Sequence, residues 1–282
     1  AWLVLVFPGM APAQDQGWRH SGPLYLLTTP EGADLPSSAS EEDFPLLVRL
    51  HKDFFDFSQA KPKGEDIRFS ADGKALAYQV EEWDASNGTA SIWVRIPTIK
   101  GNARQELKLK WGKADAESAS SGRAVFNESN GYLSVWHMNE PVRDEVGTLE
   151  SKDTGTASSA GIIGRSRRFD AGKGINCGEK ITAYPSGSSP HSSEAWFRAE
   201  KPNATVLAWG NEERNGKVML QFFSPPHIKI ECYFSGADVR GGSTLPMSQW
   251  VHVIHTFKSG ESKVYVNALL DGVSTSKGSP LA

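Results

Sequence analysis

The stretch Gln249–Phe257, QWVHVIHTF, decides how this chain is read. Its β-branched and aromatic residues, with no helix former in the middle, predict a strand. Successive side chains of a strand point to opposite faces. His252 therefore shares a face with Trp250, Ile254 and Thr256, and His255 shares the other with Val251, Val253 and Phe257. Two histidines three residues apart converge on one ion only from a helix or a tight loop. The expectation is a half-buried strand whose histidines serve different faces.

The same period of two recurs along the chain. In the first half, PLYLLTT (Pro23 to Thr29), FPLLVRL (Phe44 to Leu50), DIRFS (Asp66 to Ser70), ALAYQVEEW (Ala75 to Trp83), ASIWVRIP (Ala90 to Pro97) and QELKLKWG (Gln105 to Gly112) all read as strands between Gly, Pro, Asp and Asn turns. In ALAYQVEEW, unbroken alternation sets Leu76, Tyr78, Val80 and Glu82 against Ala77, Gln79, Glu81 and Trp83. KADAESASSGRA (Lys113 to Ala124) is small and polar and reads as a linker. The second half resumes with GYLSVWHMNE (Gly131 to Glu140), RSRRFD, SSEAWFRAE, TVLAWG, KVMLQFF, IKIECYF and SKVYVN, each a short run bounded by Gly, Pro, Asn or Ser. The fold class is all-β, as two tandem β-sandwiches. The expected organisation is 1–13, 14–115, a linker over 116–128, and 129–282.

Composition excludes several classes. The 282 residues suffice for two domains, and 39% hydrophobic with 22% charged residues is neither disordered nor membrane-spanning in bulk. A formal net charge of −3 gives no basic face for nucleic acid. The apolar run Ala1 to Phe7, followed by Ala11-Pro12-Ala13, reads as the tail of a secretory signal peptide, so the chain is expected to be exported. Export permits disulfides, and Cys177 and Cys232 are the candidate pair; two buried thiols are the alternative.

Four pieces of the second half resemble the concanavalin A-like, laminin-G-like jelly roll: LSVWHMNE with the acidic VRDEVGT after it, GIIGRSRRFD, SSEAWFRAE, and QWVHVIHTFKSGESKVYVNALLDG. The resemblance covers residues 131 to 282 and implies that the family's last strands lie beyond it. Ala268 stands where the family's hairpin usually has glycine, which leaves the turn after Asn267 open. In the first half, DFPLLVRL, DIRF and WVRIP recur in the order found in an uncharacterised bacterial exported domain, over residues 41 to about 115. That resemblance implies an envelope location, periplasmic, on the cell surface or on the extracytoplasmic side of a membrane protein. It also implies a fusion, in some relatives, to a MotA/TolQ/ExbB-type proton channel of the inner membrane.

Jelly-roll hydrolases acting on β-glucans place two glutamates on one strand in an E-x-D-x-x-E pattern, which does not occur here. The acidic pairs Glu41-Glu42, Glu81-Glu82 and Glu212-Glu213 are adjacent, so their members are expected on opposite faces or in loops. No nucleophile elbow or phosphate-binding loop is present. No cofactor is expected; the laminin-G-like resemblance implies that such folds often hold calcium, and Asp144, Asp170 and Asp238 are available, but the sequence does not bring the several oxygens of a site together. Nine tryptophans invite a carbohydrate-binding reading, yet Trp83, Trp93, Trp136, Trp196 and Trp250 occupy alternating positions that suit a core. The expected function is a non-catalytic exported module that binds a glycan or an envelope protein. The alternatives are the extracytoplasmic part of a proton-channel transport protein and a glycoside hydrolase with an unrecognised site.

Overall fold

A computed structural model describes residues 17–147, 149–211, 213, 216–223, 229–234 and 238–275, with only the backbone described for 223 and 229–234. The expected signal peptide lies outside these residues. The chain is all-β and divides into two compact units, residues 1–180 and 181–282. No helix among the described residues is long and apolar enough to cross a membrane.

The first unit begins with seven strands: β1 (His20–Leu27), β2 (Ser40–His51), β3 (Arg68–Ala71), β4 (Lys74–Leu76), β5 (Tyr78–Asp84), β6 (Thr89–Lys100) and β7 (Arg104–Trp111). They form two sheets, β1-β7-β3-β4 and β2-β6-β5. Leu50, Ile92, Val94 and Ile96 of one sheet share a core with Phe69, Leu107 and Leu109 of the other, which makes a two-layer sandwich. Asp66 of the DIRF stretch is buried because its carboxylate accepts the backbone N–H groups of Lys61 (2.8 Å) and Gly112 (2.9 Å), tying two loops to one point.

β5 departs from the expected alternation. Its register with β6 slips between Val80 and Glu82, so Glu81 is an extra residue in a β-bulge. Val80 and Trp83 both pack on the sandwich core. Glu81 and Glu82 both fall on the opposite, outer face: Glu81 accepts from Trp93, and Glu82 stands beside Ser91. The acidic pair expected to straddle the strand is thus gathered on one side.

That outer face is partly covered. The stretch expected to be a linker is stitched to the edge of β5, with Ser121 N–H donating to Tyr78 O and Val80 N–H to Ser120 Oγ. Ser121 then caps the helical turn α1 (Gly122–Val125), and Val125 and Phe126 bury against Val146, Trp93, Tyr132 and Val135. GYLSVWHMNE is not a strand here. Its backbone is irregular, Met138 adopts a left-handed φ of 60°, and Tyr132 and Val135 reach the same cluster. Beyond it, β8 (Lys152–Asp153) pairs with β11 (Ile175–Asn176), and β9 (Ala157–Ala160) with β10 (Arg165–Arg168). Arg167 on β10, nearly buried, donates to Asp153, Thr156 and Glu140 and anchors that hairpin.

A chain of hydrogen bonds runs beneath this cover. Arg143 donates to Glu145 (2.9 Å), Gln79 Nε2 to Glu145 (2.7 Å), and Gln79 Oε1 meets His137 Nε2 at 3.0 Å. Because the amide nitrogen of Gln79 serves the carboxylate, its oxygen must accept, so His137 Nε2 carries the proton. Burial holds the His137 pKa down to about 4, so the ring is neutral and Nδ1 is a lone pair. That lone pair lies 3.4 Å from Glu81 Oε2, which also accepts from Trp93 Nε1 (2.5 Å). A proton on Glu81 completes the chain, and burial of the carboxyl, with the charges of Glu82 and Glu145 nearby, pushes its pKa up to about 7.

The second unit holds β12 (His191–Arg198), β13 (Ala204–Gly210), β14 (Lys217–Phe223), β15 (Lys229–Phe234), β16 (Val239–Arg240), β17 (Trp250–Lys258), β18 (Glu261–Val266) and β19 (Leu269–Ser274). Its sheets are β12-β17-β18-β19 and β13-β14-β15-β16. Val251, Val253 and Phe257 of β17 meet Val218, Leu220 and Phe222 of β14 in the core, where His255 is fully buried and bonded to Ser262 (2.8 Å). The expected two-faced β17 is what forms.

Asn267 and Ala268 join β18 to β19 with φ of 49° and 67°, a two-residue loop of the mirror-image type I class in which glycine suits the second position. Alanine in the left-handed region is strained, so Ala268→Gly should stabilise the protein by about 1 kcal/mol in a denaturant titration. Folded, Glu81 keeps its proton up to about pH 7; unfolded, it ionises near 4.5. Across that window the folded state holds a proton the unfolded state has released, so this residue's contribution to stability falls as pH rises. His137 acts in the opposite sense between about 4 and 6.5. Glu81→Gln removes only the first effect. Its stability relative to the wild type should therefore rise by up to about 3 kcal/mol between pH 4.5 and 7.5, measured by unfolding at each pH.

Candidate ligand-binding face

β12 lies antiparallel to β17 with Trp196 opposite His252, Glu194 opposite Ile254 and Arg198 opposite Trp250, and β18 continues the sheet with Tyr265 opposite Ile254. The alternation in SSEAWFR sends Ala195 and Phe197 to the core and leaves Glu194, Trp196 and Arg198 on the outer face. His252, Ile254 and Tyr265 belong to that same face by register.

Trp196 is 43% exposed, and its indole stacks on the His252 ring at 4.8 Å and 25°. His252 Nε2 donates to Glu194 Oε1 (2.8 Å), which fixes the ring under the indole. The backbone of His252 is clamped as well: its N–H donates to Asn267 Oδ1 (3.0 Å), and its carbonyl accepts from Asn267 N–H (2.8 Å). The Arg198 guanidinium lies 5.8 Å from the centre of the Trp250 ring. Lys263 pairs with Glu261 (2.5 Å), which raises its pKa. The result is a braced indole surface flanked along β12 by a carboxylate and a guanidinium, with Lys263 and Tyr265 farther out on the same face and Leu270 exposed beside Tyr265.

The expectation that Trp196 is a core residue is corrected. Parity alone says that Trp196 and Phe197 point apart, and the packing of β14 behind β12 selects Phe197, which stacks on Phe222. Trp250 is half-buried on the same outer face; Trp83 and Trp93 do lie in packed interiors.

Cys177 carries a free, half-buried thiol in the first unit, its pKa pushed up by burial and by Asp144. Cys232 sits on β15, but its side chain lies outside the described residues, so the pairing stays an expectation. Asp144 accepts the N–H groups of Val135, Val146 and Leu149 and so shapes its own loop rather than a cation shell. Asp170 pairs with Arg168 (3.3 Å), and Asp238 precedes β16. Among the described residues no three His, Cys, Asp or Glu side chains are grouped to hold a metal ion.

Residues 63–134 match the family model described as a domain of unknown function, DUF2341, and residues 178–282 match that of the concanavalin A-like lectin/glucanases superfamily. No curated protein matches the chain. Among solved structures, similarity is found to domain 4 of AbnA, a GH43 extracellular arabinanase from Geobacillus stearothermophilus, in complex with arabinotriose. That match has 18% identity and a TM-score of 0.38 and covers 51% of this chain and 78% of the other. The chain thus matches DUF2341 and, after it, the concanavalin A-like lectin/glucanases superfamily.

Proposed function

We propose that the chain is a non-catalytic, exported module that binds glycans through the outer face of β12, β17 and β18. The observation that carries this reading is the exposed Trp196 indole, held flat by His252 and Glu194. A sugar ring presents an apolar C–H face that stacks on indole, while its rim hydroxyls need donors and acceptors. Glu194 and Arg198 flank the ring on β12 to supply them, and Tyr265 lies farther along the same face. The concanavalin A-like match supports a carbohydrate ligand, since lectins are part of that superfamily's description. Binding is favoured over hydrolysis because the two-glutamate strand pattern of jelly-roll glucanases is lacking. The Ala11-Pro12-Ala13 stretch supports export.

A glycan array with the full chain, followed by titration of the best ligand, tests the reading. Trp196→Ala should lower affinity about tenfold or more, about 1.4 kcal/mol, because it removes the stacking surface. Trp196→Phe should retain part of the affinity, and neither should shift the unfolding midpoint by much, since the side chain is exposed. Wild-type affinity in Trp196→Ala would remove the face from consideration.

A further inference from the structure

The outer face of β2-β6-β5 in the first unit is only half covered. Leu47, Trp93 and Gln79 form one row across the three strands, and Trp93 packs against the Val125–Phe126 cluster. The next row, Arg49, Ser91 and Glu82, stays open, followed by His51 and Thr89. These two open rows floor a cleft of about 340 Å³, walled by the turn between β9 and β10. That size sits at the lower end of the range for small-molecule sites.

The wall is built to stand close. Gly161 N–H donates to Gly164 O (3.0 Å), Gly164 adopts φ 56°, and Arg49 Nη2 donates to Ile162 O (3.2 Å). A Cβ on Gly164 would lie 3.5 Å from Glu81 Oε1, 3.6 Å from Glu82 Cβ and 3.8 Å from Asn139 Oδ1. Glu81 therefore ends at the inner edge of the cleft, between its open and covered rows.

Glu81 is 97% buried by side-chain area, with 3% exposed. Its Oε2 is committed to Trp93 and to the lone pair of His137. Among the described residues no hydrogen bond engages Oε1, the oxygen that faces Gly164. That oxygen keeps contact with solvent, so a donor from outside the fold can reach it. When the carboxyl proton is in place and directed at His137, below about pH 7, Oε1 presents a neutral, carbonyl-like acceptor. Beside it stand the Glu82 carboxylate as a second acceptor and Arg49, which has spent one donor on Ile162 and offers others.

This set selects a ligand class. The Glu82 carboxylate opposes phosphate, the guanidinium in the lining opposes a metal cation or an amine, and the polar floor opposes an apolar group. A neutral ring rimmed with hydroxyls meets each demand, since every hydroxyl both donates and accepts. We propose that this cleft is a second ligand site, in the first unit, and that it holds one neutral monosaccharide unit between Arg49, Ser91 and Glu82, with Glu81 at its inner edge.

The experiment uses the full chain carrying Trp196→Ala, so that the face on the second unit is silent. D-glucose, D-galactose, D-mannose, D-xylose and L-arabinose are titrated by saturation-transfer NMR, with D-glucuronate and inorganic phosphate as charged probes. The expected result is saturable binding of at least one neutral sugar. Arg49→Ala and Glu82→Gln should each weaken it about tenfold, with unchanged far-ultraviolet circular dichroism and unfolding midpoints. Arg49 is exposed and Glu82 only partly buried, so these variants keep the fold. Binding of none of the neutral sugars, preference for glucuronate or phosphate, or affinity untouched by either substitution would each overturn the assignment. A failed glycan array on the wild-type Trp196 face would leave this result standing.

Discussion

An uninterrupted strand must keep its alternation of faces, and β5 escapes that rule through one extra residue at Glu81. Without the bulge, Glu82 would enter the sandwich core and Trp83 would leave it. With it, Val80 and Trp83 fill the core while two carboxyls stand together outside. The outer face of β2-β6-β5 inherits its chemistry from that slip. It has a packed half built on Trp93 and an open half built on Arg49, Ser91 and Glu82.

Burying polar groups on the packed half costs free energy unless every member is satisfied. The run pairs its donors with acceptors: Trp93, Glu81, His137 and Gln79 donate in turn toward Glu145, which also accepts from Arg143. The arrangement also fixes a tautomer and a proton. His137 is neutral because burial disfavours its charge, and burial likewise raises the Glu81 pKa to about 7, so that below this pH the carboxyl keeps its proton. The same desolvation acts on a base and an acid and brings both to neutrality.

The second unit solves the two-face problem differently. Its core takes Ala195, Phe197, Val251, Val253 and Val264 from β12, β17 and β18, and the opposite face of those strands holds Trp196 at the surface. β12 reaches β17 across a long excursion through β13 to β16, so the Trp196–His252 stack is a contact between distant parts of the chain. The Asn267-Ala268 turn clamps the His252 backbone, which links a local loop strain to the geometry of the exposed indole. Rigid side chains on strands, backed by a packed core, lose little freedom when a ligand arrives.

The sequence by itself determined the class of structure: period two marks the strands, Gly, Pro and Asn mark the turns, and β17 shows its two faces to simple counting. It also showed that one of Trp196 and Phe197 must be outside, because neighbours on a strand point apart. It did not show which, since that depends on where the second sheet packs. Nor did it reveal the bulge at Glu81, because an extra residue is defined only against the partner strand that lacks it. The stretch 116–128 reads as a linker by composition, yet its serines supply the bonds that hold it to β5 and its lone Val125-Phe126 pair finds a buried place. Local pattern settles what each segment prefers. The pairing of distant strands settles which face is dry, which polar groups must satisfy one another, and therefore where a ligand can be met.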